Sequence, residues 1–152
     1  EYVDTDEELL IMAIDDFMDA SGLAIINEFR NNHADAGVVC FNSIHPRYSF
    51  VKVNADGEPT QFSEKTPISR HALISFYYFK CGSDFIACAK DVIRKDRLIN
   101  GNFYISQSLN EMILRQKHIM VKEIESAQFH PLKTEHQLAE YIMEYNKSLQ
   151  SK

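Results

Sequence analysis

The chain has 152 residues, a length that suits one domain with a hydrophobic core, and we expect residues 1–152 to form a single domain. Acidic residues outnumber basic residues by 22 to 16, and the resulting net charge of −6 argues against a general nucleic-acid-binding or membrane-binding surface. No apolar segment is long enough to cross a bilayer, and none has the form of a signal peptide.

The first segment with a clear pattern is Leu9–Ile14, six consecutive apolar residues followed by two carboxylates, Asp15 and Asp16. An unbroken apolar run of this length predicts a strand buried on both faces of a parallel or mixed sheet. The two aspartates would then lie at the carboxyl edge of the sheet, where open α/β folds bind ligands. Two interpretations stay open, a divalent-cation site or the start of a solvated loop.

A helix and a second strand follow this first strand. Ser21 is a suitable N-cap for a helix over about Gly22–Asn32, in which Leu23 and Ile26 stand at helical spacing. The short apolar run Ala36–Phe41 predicts another buried strand. The order strand, helix, strand predicts a βαβ unit with a parallel pair.

The middle of the chain has the two-residue period of β-structure. The alternating strand from Tyr48 to Val53 is joined to Pro59–Phe62 through the turn residues Asp56 and Gly57, which predicts a hairpin. His71–Phe79 is rich in aromatic and β-branched residues and predicts a further central strand. Glu64 and Lys65 close the hairpin, and their spacing alone indicates an exposed charged pair.

The last third of the chain is mostly helical. Ser83 can cap one helix, and Leu109 and Met112 belong to a second that ends near Gln116. The segment from His118 to Ile124 alternates as a strand. The residues Thr134–Gln137 form a capping box before a final helix.

Several familiar chemistries are absent from the sequence, which has no HExxH, GxSxG or P-loop motif. The three cysteines, Cys40, Cys81 and Cys88, lack the CxxC spacing of a zinc or redox site. We therefore expect reduced thiols in a cytoplasmic protein.

A series of short segments carries a family resemblance. They are Leu9–Asp15, His45–Val51, Asp56–Gly57, Glu64–Ser69, Phe76–Lys80, Asn100–Ser106 and Leu109–Ile113. In this order the chain resembles the C-terminal half of the sugar-phosphate nucleotidyltransferases, the nucleoside-diphosphate-sugar pyrophosphorylases. The resemblance implies an α/β fold, a Rossmann-like mixed sheet with flanking helices, similar to the A-type glycosyltransferases. It also implies that the family's glycine-rich triphosphate loop precedes Glu1, so that an N-terminal part of the fold is missing.

The resemblance implies a reaction in which a sugar 1-phosphate attacks the α-phosphorus of a nucleoside triphosphate and releases pyrophosphate. It implies that Asp15 holds a catalytic Mg²⁺ and that Lys65 acts on the sugar phosphate. Such chemistry requires positioning and charge neutralisation, which a magnesium ion and a lysine both supply. The substrate-binding candidates are Glu64, Lys65, Tyr48, Ser49 and Asn110.

Four departures from the family's pattern keep other functions open. Ser75 stands where the family pattern has a glycine, and Asn102 stands where it has an acidic residue. Gln107 stands where many members have a second metal-binding aspartate. The segment Phe129–Thr134 replaces the usual Gly-Thr-Pro before the last helix. A degenerate domain would bind sugar phosphate without turnover. An A-type glycosyltransferase would instead use the paired aspartates to hold the metal of a sugar nucleotide.

We expect the intact protein to be a nucleotidyltransferase that makes an activated sugar for a surface polysaccharide or a related glycan. Its partners would be a sugar 1-phosphate, a nucleoside triphosphate and a second copy of the chain. Residues 1–152 alone would lack the triphosphate loop and would be inactive.

Overall fold

A computed structural model describes residues 2–150, which form a mixed α/β fold. The strands are β1 (Leu9–Met12), β2 (Asp16–Met18), β3 (Ala36–Asn42), β4 (Ser49–Val53), β5 (Pro59–Glu64), β6 (His71–Phe79), β7 (Ile119–Glu123) and β8 (Phe129–Pro131). The helices are α1 (Gly22–Asn31), α2 (Gly82–Arg94), α3 (Ile105–Leu114) and α4 (Glu135–Gln150).

One mixed sheet organises these elements. Five strands follow the order β5-β4-β6-β3-β7, and β1 also pairs with β6. The pair β3 and β7 is parallel, and the other pairs are antiparallel. β2 and β8 form a separate two-stranded sheet. The fold class predicted from the sequence, a mixed sheet with flanking helices, is confirmed.

Buried side chains cover both faces of the main sheet. On one face Phe29 of α1 packs in a cluster with Tyr78 of β6, and on the other Leu109 and Met112 of α3 pack with Phe79. Alternate residues of β6 therefore serve opposite clusters, as strand geometry requires. The result is a sheet between two layers, with α1 on one side and α2 and α3 on the other.

The first strand differs from the prediction. β1 ends at Met12, and its alternate residues Leu10 and Met12 are 40% and 50% exposed, while Ile14 is fully exposed beyond it. Among the described residues, β1 pairs only with β6. An unbroken apolar run does not distinguish a strand buried on both faces from an edge strand with an exposed apolar face.

The predicted parallel pair is also wrong in detail. β1 and β3 run in the same direction because both are antiparallel to β6, but β6 lies between them. The parallel partner of β3 is β7, through pairs from Ala36 with Ile119 to Cys40 with Glu123. The pattern of residues predicts that a strand exists, but which strand pairs with it in the sheet depends on the path of the whole chain.

Other local predictions are confirmed. Ser21 caps α1 by accepting a hydrogen bond from the Ala24 N–H at 3.3 Å. The hairpin of β4 and β5 turns at Gly57, whose φ of 83° lies in the left-handed region that glycine adopts without strain. The predicted capping box at Thr134–Gln137 is only half formed. Thr134 Oγ1 accepts a hydrogen bond from the Gln137 N–H at 3.2 Å, but the Gln137 side chain accepts from the Lys133 N–H and not from the Thr134 N–H.

The start of α2 differs from the prediction that Ser83 is its cap. The N-cap is Cys81, which makes no side-chain capping bond. Instead the N–H groups of Gly82 and Ser83 donate to the carbonyls of Glu7 and Thr5 at 2.9 and 2.8 Å. The acidic lead-in segment thus satisfies the open N–H groups of a helix that lies far from it in sequence.

The three cysteines form no disulfide, and Cys40 and Cys88 are buried. Burial raises the pKa of the Cys40 thiol to about 12, so it stays protonated at neutral pH. Within residues 2–150, no helix has both the length and the apolar character needed to span a membrane.

Candidate functional site

The candidate site is a cavity of about 490 Å³ beside β6, here called the β6 cavity. β4 and β1 pair with the same edge of β6, one near its beginning and the other near its end, which leaves a gap between them. Leu73, Ser75 and Tyr77 of β6 line the cavity at this gap, and Ser106 of α3 also lines it. Met12 and Ala13, at the carboxyl end of β1, also line this cavity, and ligand binding at this edge stays a prediction.

Glu64 supplies a buried carboxylate to the wall of the β6 cavity. Its exposed fraction is only 8%, and it accepts hydrogen bonds from Ser49 Oγ at 2.5 Å and Ser106 Oγ at 2.8 Å. Burial of Tyr77 raises the pKa of its phenol, although a hydrogen bond with Ser49 opposes the shift. Neutral hydroxyl groups therefore surround this carboxylate.

Lys65 lies next to the cavity rather than on its lining. Its Nζ donates to Tyr104 Oη at 2.7 Å, and Tyr104 itself lines the cavity. This hydrogen bond is the main reason that the pKa of Lys65 is raised, so its ammonium is charged at neutral pH. The backbone of Lys65 has a φ of 56°, and its N–H donates to the Tyr48 carbonyl at 3.0 Å.

Tyr48 and Arg47 form an aromatic and cationic wall of the β6 cavity. The Tyr48 ring packs edge-on against Phe41 with centroids 5.0 Å apart, and Arg47 Cζ lies 5.4 Å from the Tyr48 centroid. Burial raises the pKa of Tyr48, although Arg47 opposes the shift. The ring is held as a neutral, half-buried surface next to a guanidinium group.

Asp16 is the aspartate that enters the cavity. Its Oδ2 accepts from the Ser75 N–H at 3.2 Å, and its Oδ1 lies 3.2 Å from Lys133 Nζ in an ion pair without hydrogen-bond geometry. The Asp16 side chain is 6% exposed. Since β6 has no strand partner at Ser75 on this edge, the carboxylate satisfies a donor that a neighbouring strand would otherwise bind.

Asp15, the residue predicted to hold the metal, does not line the β6 cavity. Its side chain is 42% exposed, and its Oδ2 lies 3.4 Å from Lys133 Nζ. Asp15 lies in the turn before β2, and its carboxylate meets Lys133 from outside the cavity lining, so its role as the metal ligand stays a prediction.

Asn110 has a structural place in the fold. Its side-chain amide accepts from the Phe62 N–H at 2.8 Å and donates to the Phe62 carbonyl at 2.9 Å, which joins α3 to β5. Asn110 is absent from the cavity lining. The prediction that Asn110 binds substrate has no support in this arrangement.

The donors present do not fit a magnesium ion. Mg²⁺ takes octahedral oxygen ligands, usually one or two carboxylates together with substrate phosphates. Here the ammonium of Lys133 faces both candidate carboxylates, and the carboxylate of Glu64 is bound by serine hydroxyls. Within residues 2–150, no three or more His, Cys, Asp or Glu side chains are grouped to hold a metal. The predicted Mg²⁺ at Asp15 stays a prediction without support from this geometry.

Sequence reasoning missed several residues of the cavity. Tyr77 could have been found from the alternation of β6, because it shares a face with Leu73 and with Ser75, the position where the family resemblance implies a glycine. Ser106 and Lys133 had no such signal, since their segments come together with β6 only in the folded chain.

Two solved structures share this fold. The nucleoside-diphosphate-sugar pyrophosphorylase from Vibrio cholerae RC9 superimposes with a TM-score of 0.75 at 19% identity, over 90% of this chain and 56% of that protein. A Bacillus anthracis protein described as a glucose-1-phosphate thymidylyltransferase, in complex with a sucrose, gives a TM-score of 0.69 at 18% identity, over 89% and 53%.

This chain spans about half the length of these two solved structures. The sequence matches no protein-family model and no curated protein. At such low identity the comparison establishes a shared fold.

Proposed function

We propose that this chain is the sugar-phosphate-binding part of a sugar-phosphate nucleotidyltransferase. The observation that carries the proposal is Glu64, a buried cavity carboxylate whose partners are both hydroxyl groups. A carboxylate in this environment is suited to accept further hydrogen bonds from the hydroxyl groups of a sugar.

The cations around the cavity complete the proposed ligand chemistry. Arg47 and Lys133 line the cavity, and Lys65 is held beside it by Tyr104. A guanidinium or ammonium group binds phosphate through charge-assisted hydrogen bonds. A ligand with hydroxyl groups at one end and a phosphate at the other therefore suits the cavity better than either part alone.

In the proposed reaction, a phosphate oxygen of the sugar 1-phosphate forms a bond to the α-phosphorus of a nucleoside triphosphate. The bond from that phosphorus to the bridging oxygen breaks, and pyrophosphate leaves. The residues of this chain would hold and orient the attacking phosphate, which is the main contribution that a protein makes to phosphoryl transfer. The fold shared with nucleotidyltransferases supports this assignment.

The proposed setting is the cytoplasm, where the product would serve as an activated sugar for a polysaccharide or a related glycan. Because the chain spans about half of the structures that it resembles, the activity belongs to the intact protein.

The first test is calorimetric titration of the chain with a panel of hexose 1-phosphates, the parent hexoses and inorganic phosphate. We expect one hexose 1-phosphate to bind at least about tenfold more tightly than its hexose or phosphate, since both ends are recognised. Glu64→Gln and Lys65→Ala should each weaken that binding about tenfold or more, because each removes a charged partner.

Glu58→Gln is the matched control, because Glu58 is an exposed hairpin carboxylate hydrogen-bonded only to Asn54 among the described contacts. It should leave the affinity unchanged. If the wild-type chain binds no hexose 1-phosphate, the proposal is contradicted. Equal losses in Glu58→Gln and Glu64→Gln would remove Glu64 from the site.

A second candidate function is sugar-phosphate binding without turnover. The observation that favours it is the ion pair of Asp16 with Lys133, which occupies a carboxylate otherwise available to a metal ion. Pyrophosphate release by the intact protein, supplied with the preferred hexose 1-phosphate and each nucleoside triphosphate, decides between the two. Release would establish turnover, and binding with no release would favour the second function.

A further inference from the structure

Lys133 brings an ammonium group to the place where the two aspartates come together. Its Nζ lies 3.2 Å from Asp16 Oδ1 and 3.4 Å from Asp15 Oδ2, and Lys133 lines the β6 cavity. It belongs to the segment Phe129–Thr134, which contains β8 and leads into α4.

The position of Lys133 is held by its backbone on both sides. β8 pairs with β2 through Asp16 and Pro131, and the Leu132 N–H donates to the Asp15 carbonyl at 2.8 Å. The Lys133 N–H donates to Gln137 Oε1 at 3.0 Å at the start of α4. The segment that carries the lysine is therefore paired with the segment that carries the aspartates.

We infer that Lys133 is the fixed cation of the β6 cavity and takes the place of a divalent metal ion, so that the phosphate of the ligand binds to the Lys133 ammonium without Mg²⁺. This inference rests on the proposed function for the nature of the ligand. The exclusion of the metal ion is independent of the proposed function, because it depends only on the contacts of Lys133 with Asp15 and Asp16.

The charges favour this arrangement. Two carboxylates face one ammonium, and a divalent ion placed between them would be repelled by the lysine at close range. Partial burial lowers the pKa of Lys133, but Asp16 and Asp15 outweigh that effect, and the pKa is raised. The side chain therefore stays positively charged at neutral pH.

The donor count leaves room for a ligand. An ammonium group has three N–H donors, and within residues 2–150 its described partners are the two aspartates. Both contacts are described as ion pairs, so the ammonium keeps N–H donors that can be directed to a phosphate oxygen in the cavity that Lys133 lines.

The metal is tested first, without any sugar, by titrating the chain with Mn²⁺ and measuring free ion by electron paramagnetic resonance. We expect no Mn²⁺ binding that depends on Asp16 in the wild-type chain. Lys133→Met should create Mn²⁺ binding by freeing both carboxylates, and Lys133→Met combined with Asp16→Asn should abolish it. Wild-type Mn²⁺ binding that Asp16→Asn removes would overturn the inference.

Lys122→Met is the matched control variant. Lys122 is 37% exposed, the same as Lys133, and it forms an ion pair with Glu28 at 2.7 Å outside the β6 cavity. It should not create Mn²⁺ binding. Circular dichroism verifies that each variant is folded, and Lys133→Gln replaces Lys133→Met if the methionine variant does not fold.

The phosphate is tested with the hexose 1-phosphate that the wild-type chain prefers, titrated in EDTA and again in Mg²⁺. We expect the same affinity within about twofold in both conditions, and a loss of about tenfold or more in Lys133→Met but not in Lys122→Met. A requirement for Mg²⁺, or unchanged affinity in Lys133→Met, would overturn the inference while leaving the proposed function intact.

Failure of the proposed function gives a different result. In that case no hexose 1-phosphate binds in either condition, which also overturns the phosphate-binding role of Lys133. The Mn²⁺ titration still decides whether Lys133 excludes a metal from Asp15 and Asp16.

Discussion

At the scale of single residues, neighbours in sequence have opposite environments in this site. Asp16 is 6% exposed in the β6 cavity, whereas Asp15 is 42% exposed outside it. Glu64 is buried against two serines, whereas Lys65 is exposed and reaches Tyr104. The sequence marked both pairs of residues as candidates, and the direction of each side chain separates their roles.

This difference predicts unequal effects of two matched substitutions. Asp16→Asn should lower the free energy of unfolding by about 1–2 kcal/mol, because it leaves Lys133 and the Ser75 N–H with a neutral partner. The figure is discounted from that of a fully buried pair, since Lys133 is 37% exposed.

Asp15→Asn should cost less than about 0.5 kcal/mol, as is usual for an exposed ion pair. Urea denaturation at neutral pH measures both variants. Equal losses, or a larger loss for Asp15→Asn, would contradict the burial described for the two side chains.

At the scale of elements, α1 packs against β3 at a glycine. A Cβ added to Gly37 would lie 2.3 Å from a ring carbon of Phe29, a side chain with no exposed surface. The helix can approach this closely because the strand has no side chain on that face at Gly37.

Gly37→Ala should therefore destabilise the fold by about 3 kcal/mol, the upper part of the range for overpacking a core. Gly57→Ala is the comparison, since a Cβ there meets nothing within 4 Å and only its φ of 83° is unfavourable, which costs about 1 kcal/mol. Urea denaturation gives both values. A Gly37→Ala loss no larger than that of Gly57→Ala would mean that helix and strand separate more easily than their packing indicates.

A second contact between elements depends on pH. Glu8, just before β1, accepts hydrogen bonds from Arg30 of α1 at 2.8 and 2.5 Å and from Tyr78 of β6 at 2.7 Å. The pKa of Glu8 is lowered mainly by its hydrogen bonds with Arg30. Burial raises this pKa and so opposes the shift, whereas the hydrogen bond from Tyr78 lowers it further.

Because the pKa of Glu8 is lower in the folded state, its contribution to stability is present above the ordinary pKa of 4.5 and is lost as the pH falls through the folded value. Glu8→Gln should cost less than about 1 kcal/mol at neutral pH, since both partners are more than one-third exposed. The difference from wild type should shrink with acidification.

Thermal melting from pH 7 to pH 3 tests this, with the exposed neighbour variant Glu7→Gln as the control. A constant difference between Glu8→Gln and wild type across that range would contradict the lowered pKa of Glu8.

At the scale of the whole molecule, one edge of the sheet is open. The Ala13 N–H donates to the Ser75 carbonyl, so by alternation the N–H groups of Leu10 and Met12 point away from β6. Their side chains and that of Ile14 are exposed apolar surface at the same place. An unpaired edge with apolar side chains is a template for another strand.

We therefore predict that the chain self-associates through β1, in agreement with the homo-oligomer expected from the sequence. Sedimentation velocity should find a dimer or larger species that shifts to monomer in the double variant Leu10→Lys, Met12→Lys, because charge on an edge strand opposes pairing. Leu114→Lys is the control, at a 64% exposed position of α3, which packs on the other face of the sheet. A monomeric wild type, or an equal effect of Leu114→Lys, would contradict the prediction.

The sequence by itself determined what depends on near neighbours. The two-residue period and the turn glycine specify the hairpin of β4 and β5, and Ser21 specifies the start of α1. The full extent of β6, His71–Phe79, also follows from its composition. These features are set by backbone sterics and by local hydrogen bonds, which the sequence states directly.

Only the tertiary structure decided which surfaces meet. It placed β6 between β1 and β3, turned Asp16 rather than Asp15 into the cavity, and brought Lys133 to both. It also used Asn110 to hold the backbone of Phe62. The physical reason is that burial, charge pairing and strand partnership depend on distances between remote segments, and no local pattern of residues encodes those distances.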